Sequence, residues 1–183
     1  NLRVAAHAIG TEGIKNALRA GIDSIEHGHM LDDEAIELFK SNNAYLVPTL
    51  AAPACILEHL QDGSQPQFVV EKARTVDEAM KRNIRRAYEA GVKIAGGSDA
   101  GTPYNFHYDY AREVELMQSL LGMSAQQALH AATATAAELI GIHRGVLEPG
   151  EPADMILLSR DIAADIRTLR APERVIKAGM IVG

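Results

Sequence analysis

Two histidines twenty positions apart, His7 in "LRVAAHA" and His27 in "IDSIEHG", each close a short run of apolar and small residues. A third such run, "VKIAGGSD", ends in Asp99, a carboxylate among three glycines in "IAGGSDAGTP". Neutral imidazole and carboxylate are ligand types for zinc and similar divalent ions. Such an ion lowers the pKa of a water it holds to about 7. A carboxylate beside that water can take its proton and return it to a leaving group. Each residue also has a plainer reading. A histidine in a loop most often makes a surface hydrogen bond, and an aspartate after glycines is usually a turn residue or a helix cap. What favours chemistry is the recurrence of all three at equivalent places, the ends of strands.

Further candidates stand nearby. His29 shares "HGH" with His27 and either faces the same rim or points to solvent. His107 lies in the glycine- and aromatic-rich loop after Asp99, within reach of a substrate. Tyr45 and Tyr104 are candidates for hydrogen bonding a substrate carboxylate, with side-chain packing as their plainer role. Arg112 could meet a substrate anion, yet "AREVE" reads first as a solvated helix face. Cys55 has no base close in sequence and reads as an inert apolar residue. His130 and His143, on or after a helix, read as structural.

The elements that must position these side chains alternate. "LRVAAHA" is followed by "TEGIKNALRAG", with Ile14, Ala17 and Leu18 on one helical face and Gly21 as the stop. "IDSIEHG" is followed by "LDDEAIELFKSNN", where Asp32 is the expected N-cap and Ala35, Ile36 and Phe39 the buried stripe. "AYLVPTL" gives a third strand. Ala51 to Gln67, with two prolines and a "DGS" turn, reads as an irregular lid or insertion. A long amphipathic helix from about Val69 to Ala90 stops at Gly91 and leads into the fourth strand, "VKIAGGSD". Such alternation implies an α/β fold with a parallel sheet covered by helices. Two more helices follow, the second opened by a Ser124/Gln127 capping box and closed by Gly141. Beyond it lie short β runs with Gly/Pro turns, and Ala178-Gly179 is the expected hairpin turn.

With 183 residues, 47% hydrophobic and 23% charged, the chain suffices for one good core and is short for two. A net charge of −6 without a Lys/Arg run argues against nucleic acid or an anionic membrane as partner. The single cysteine excludes an internal disulfide framework and a CxxC metal site. No apolar run approaches the roughly 20 residues that span a bilayer. "NLRVAAHAIG" begins without methionine or a signal-peptide pattern, and reads as a strand continuing from earlier sequence.

At these residues the chain resembles the amidohydrolase superfamily, in its imidazolonepropionase-like and Xaa-Pro dipeptidase-like branch. The resemblance rests on "VAAHAIGTEGIKNALRAGIDSIEHGHMLDD", "AYLVPTL", "GGSDAGTP", "AATATAAELIGI" and "GVLEPGEPADMILL", in the family's order along nearly the whole chain. It implies the C-terminal half of a (β/α)8 barrel over 1–144, strands five to eight, with 145–183 forming part of a small β-sandwich domain. It implies His7, His27 and Asp99 as metal ligands on strands five, six and eight, and Asp99 as the catalytic proton shuttle. Zinc or another divalent metal, one or two ions in the complete enzyme, is the implied cofactor. The implied activity is hydrolysis of amide bonds in dipeptides or N-acyl amino acids of Xaa-Pro or Xaa-Arg/Lys type. A cyclic amide of the imidazolonepropionase kind stays open as substrate, as does a non-catalytic half-barrel. The family's strand-one His-x-His pair and strand-four lysine have no counterpart here. The expected partners are therefore a missing N-terminal half and, through unpaired strand edges, a second copy of the chain.

Overall fold

The computed structural model describes residues 2–60 and 66–183. Strands β1 (Ala5–Ala8), β2 (Ser24–His27), β3 (Tyr45–Val47) and β4 (Lys93–Ile94) form one parallel sheet in that order. The crossovers are α1 (Thr11–Arg19), α2 (Asp33–Asn42), and then α3 (Ala51–His59) followed by α4 (Gln67–Glu89). Because all four strands run the same way, their C-terminal ends share one edge of the sheet. Ala8 pairs with His27 in the first ladder, so the two βα units are in step.

One face of the sheet is the core. Ile25, Leu46 and Ile94 point into it and meet Ile14 and Leu18 of α1, Ile36 and Phe39 of α2, and Met80 and Ile84 of α4. The stripes expected from the 3.6-residue period are the buried ones. Asp32 caps α2 by accepting the Ala35 N–H at 2.9 Å. Against the other face lies a cavity of about 840 Å³, reached by Ala5, Glu26, Val47 and Gly97 among others.

Two expectations need correction. Ala51 to His59 is a helix, not an irregular segment. Pro53 sits in its first turn, where its missing N–H has no intrahelical partner to lose. The "DGS" turn lies outside the described residues. The fourth strand is also shorter than "VKIAGGSD" suggests. Its Gly96 N–H leaves the ladder and donates to the Ala131 carbonyl at 2.8 Å. A Cβ at Gly96 would lie 2.7 Å from the Ala132 Cα, and one at Gly97 would lie 2.6 Å from Val47 Cγ1. These glycines serve close packing within the protein.

After the sheet come α5 (Tyr110–Leu121), α6 (Ala125–His130) and α7 (Ala136–Ile140), the last two joined by a π-helical turn over Ala131–Thr135. The Ser124–Gln127 capping box is present. The tail forms an antiparallel sheet of β5 (Met155–Leu157), β6 (Arg174–Lys177) and β7 (Met180–Ile181). Ala178 and Gly179 turn its hairpin with φ of 50° and 77°. Among the described residues no helix is long and apolar enough to cross a membrane.

Candidate functional site

His7 and His27 meet at the C-terminal edge of the sheet, their rings edge-on with centroids 4.5 Å apart. His27, at the last position of β2, has a φ of 72°. Its Nδ1 is fixed by the Thr49 hydroxyl at 2.8 Å, which leaves Nε2 as the nitrogen able to face a ligand. Thr49 follows β3, is buried, and itself has a φ of 49°. Asp99, at 53°, and Tyr104, at 64°, extend this series along the loop after β4. Left-handed backbone in residues other than glycine costs of order 1–3 kcal/mol each and gathers at sites where geometry matters.

Burial above all, and then His7, lowers the pKa of His27, while Asp99 opposes the shift. His29 is held down at about 4 by burial first, then by His27 and His7, so its ring is neutral at neutral pH. Glu26, beside His7 in the ladder, is pushed up mainly by burial, with Ser24 opposing and Asp99 adding to the shift. Neutral imidazoles with a nearby acid are a donor set suited to a divalent ion. Among the described residues, however, no three His, Cys, Asp or Glu side chains converge closely enough to hold a metal by themselves. The donors fit part of a coordination sphere and leave it open.

The loop that carries Asp99 is stapled from within. Buried Asn105 donates through Nδ2 to the carbonyls of Ser98 and Asp99, at 2.6 Å and 3.2 Å. The Thr102 hydroxyl also donates to the Asp99 carbonyl, at 3.0 Å. Among the described residues no hydrogen bond or ion pair occupies the Asp99 carboxylate, which is exposed. Sequence reasoning passed over both Asn105 and Thr49. The signal for Thr49 was its place directly after a strand, in "VPTL".

Of the other candidates, His29 is half-buried with its ring 5.7 Å from that of His27. Tyr104 and His107 lie exposed on the Asp99 loop, and the Tyr104 ring stacks on His59 of α3 at 3.6 Å. Tyr45 is a correction. It opens β3 and therefore stands at the opposite end of the sheet, where Lys93 donates to its hydroxyl at 3.4 Å and also pairs with Glu138. Its substrate role is withdrawn on that ground. The Arg112 guanidinium pairs with Glu58 of α3. His130 and His143 bond Thr135 and Glu151, as structural residues do. Cys55 is buried, which pushes its thiol pKa up.

A further connection holds the rim in place. Glu113 of α5 is fully buried and accepts the backbone N–H groups of Leu50 at 2.9 Å and Ala51 at 2.7 Å. It thereby caps the start of α3 and fixes the chain immediately after Thr49. "AREVE" is not simply a solvated face.

The family model described as "Amidohydrolase family" matches residues 1–183. The ochratoxinase of Aspergillus niger is 31% identical over 180 residues, covering 96% of this chain and 36% of that protein. The imidazolonepropionase of Cutibacterium acnes is 28% identical over 164 residues, covering 86% of this chain and 35% of that one. The crystal structure of a Xaa-Pro dipeptidase with methionine in its active site superposes with a TM-score of 0.86 at 39% identity. That match covers 98% of this chain and 44% of the dipeptidase. The chain thus spans about half or less of the length of the curated relatives it matches, 48% at most for the first of them.

Proposed function

The chain belongs to the amidohydrolase family, and we propose that it supplies the C-terminal half of a metal-dependent hydrolase acting on carbon–nitrogen bonds of small amides. In this reading β1 to β4 are four strands of a (β/α)8 barrel over residues 1–144, and 145–183 contribute to a small β-sandwich domain. The remaining strands would pair with the free edges of β1 and β4, the outermost strands of the four-stranded sheet. The observation that carries the reading is the meeting of His7 and His27 on one sheet edge, with the unoccupied carboxylate of Asp99 on the adjoining loop.

His7, His27 and Asp99 would hold a divalent ion such as zinc, one or two in the complete protein. When bound, such an ion supplies a water whose pKa is near 7. Asp99 would serve as the proton carrier, taking a proton from the attacking water and handing it to the amine nitrogen as the C–N bond breaks. Thr49 keeps the His27 ring in one orientation throughout. Tyr104, His107 and His29 are the proposed substrate contacts. Dipeptides or N-acyl amino acids of Xaa-Pro or Xaa-Arg/Lys type are the proposed substrates, supported by the likeness to a Xaa-Pro dipeptidase. Similarity to an imidazolonepropionase supports a cyclic amide as the second reading.

The test is a panel of dipeptides and N-acyl amino acids with the full-length protein. Turnover should disappear on chelation and return with zinc. Turnover indifferent to chelation, or none with metal loaded, would overturn the proposal. The 183-residue chain by itself should bind zinc weakly and sub-stoichiometrically, and be inactive. One tightly held ion per chain after dialysis would contradict the open coordination sphere.

Thr49→Val gives a sharper check. The two side chains are nearly isosteric, so the backbone strain is kept while the His27 Nδ1 loses its partner. Loss of such an orienting bond typically weakens metal affinity about 10–100-fold. Competition with a chromophoric chelator measures this, and a melting temperature close to the parent's would show that the fold is intact.

A further inference from the structure

We propose that the groove between α3 and α4 is a substrate side-chain pocket selective for an apolar, ring-sized group that ends in a neutral hydrogen-bond donor, a phenol above all. The identity of the ligand as part of an amide rests on the hydrolase reading; the shape and chemistry of the pocket rest on this chain alone. The groove encloses about 580 Å³, within the range of small-molecule sites. Ile56 and Leu57 of α3 face Val69, Val76 and Met80 of α4 across it. Ile56 and Val76 remain 37% and 39% exposed, and Phe68 beside them 71%. Open apolar walls of this kind favour an apolar occupant.

The polar lining narrows the choice. The Asp77 side chain is only 6% exposed, and its Oδ2 pairs with Lys81 at 2.5 Å. Its Oδ1 is buried with no partner among the described residues, and so is Nε2 of His29, which lines the same groove. Buried polar atoms are nearly always hydrogen-bonded, and leaving them bare is unfavourable. An aliphatic occupant would cover the walls and leave Asp77 unmet. A cation would face a carboxylate that Lys81 already neutralises. A phenolic hydroxyl can donate to Asp77 Oδ1 and, in one tautomer of the ring, accept from His29. Because the His29 ring lies 5.7 Å from that of His27, the pocket adjoins the proposed catalytic edge.

Calorimetry on the full-length protein, stripped of metal to prevent turnover, provides the first test. N-acetyl-L-tyrosinamide should bind more tightly than the phenylalanine analogue, and at least tenfold more tightly than the alanine one. Val76→Trp fills the groove from α4 and should abolish this order; Ile56→Trp does so from α3 should the first variant fail to fold. Asp77→Asn can present an amide N–H where Oδ1 accepted, so the tyrosine-over-phenylalanine preference should fall to about one. With the metal-loaded protein, Tyr-Ala and Ala-Tyr are compared with Ala-Ala. For the better tyrosine dipeptide, the kcat/KM ratio to Ala-Ala should fall at least tenfold in Val76→Trp. Equal affinity for the three amides, or a folded Val76→Trp protein that keeps the parent's preference, would overturn the pocket. If no amide is hydrolysed but tyrosinamide binding is lost in Val76→Trp, the hydrolase reading fails and the pocket stands.

Discussion

Asp99→Asn in the full-length, metal-loaded protein should lower kcat by about 10²–10⁴-fold, the usual contribution of a positioned general acid–base group. Asparagine keeps the size and one oxygen but has no basic carboxylate to accept the proton of the attacking water. The Asn105 staple acts on the carbonyls of Ser98 and Asp99, not on the Asp99 side chain, so the loop should keep its course. Metal content should fall far less than turnover, because both imidazoles remain. His27→Ala should behave differently and lose metal together with activity. Steady-state kinetics paired with metal analysis separates the two outcomes. Near-normal turnover in Asp99→Asn with its metal retained would reduce "GGSDAGTP" to a turn.

The largest stability effect is expected at Glu113. Burial pushes its carboxyl pKa from 4.5 up to about 7, against the two backbone N–H groups that favour the ionised form. In the folded protein the group therefore keeps its proton to about pH 7, whereas the unfolded chain releases it near 4.5. Between these values the folded state binds more protons, so stability is highest at the acid end and falls as pH rises through 7. The shift corresponds to about 3 kcal/mol. Glu113→Gln should remove that slope. Glu113→Ala should cost about 3–5 kcal/mol at pH 5, because the Leu50 and Ala51 N–H groups are left buried without acceptors. Denaturant midpoints at pH 5 and pH 7.5 for the parent and both variants test the sign and the size.

The strand–helix alternation was legible because the apolar periods of α1 and α2 match their buried faces, and because Asp32, Ser124 and Ala178-Gly179 are local signals with local causes. The site's histidines were legible because each falls within the last two positions of a strand, one βα unit apart. What escaped depends on contacts between distant segments. The helix over Ala51–His59 was obscured by Pro53, which is harmless only because it falls in the first turn. Tyr45 was misassigned because a residue near a strand says nothing about which end it occupies until the strand's limits are known. Glu113 carried a usable sign. Tyr110, Glu113, Val114, Met117 and Leu121 follow one helical stripe, and its acid faces inward because the start of α3, about sixty positions earlier, needs an acceptor there. The left-handed backbone of Thr49 had no sequence signal, since a β-branched residue disfavours it, whereas His27 is of a type that visits that region more readily.

The order β1-β2-β3-β4 in the sheet is also the order of synthesis. Each of β2, β3 and β4 therefore meets a neighbour that has already left the ribosome. The first two ladders, Ala5 with Ser24 and Ser24 with Tyr45, close loops of roughly twenty positions. Tyr45 with Lys93 closes one of roughly fifty. Loop closure grows only slowly more costly with length, but distant pairings form later than local ones. During translation the first three strands with α1 and α2 can assemble as a growing edge. Joining β4, and with it the Asp99 loop, must wait until α3 and α4 have emerged.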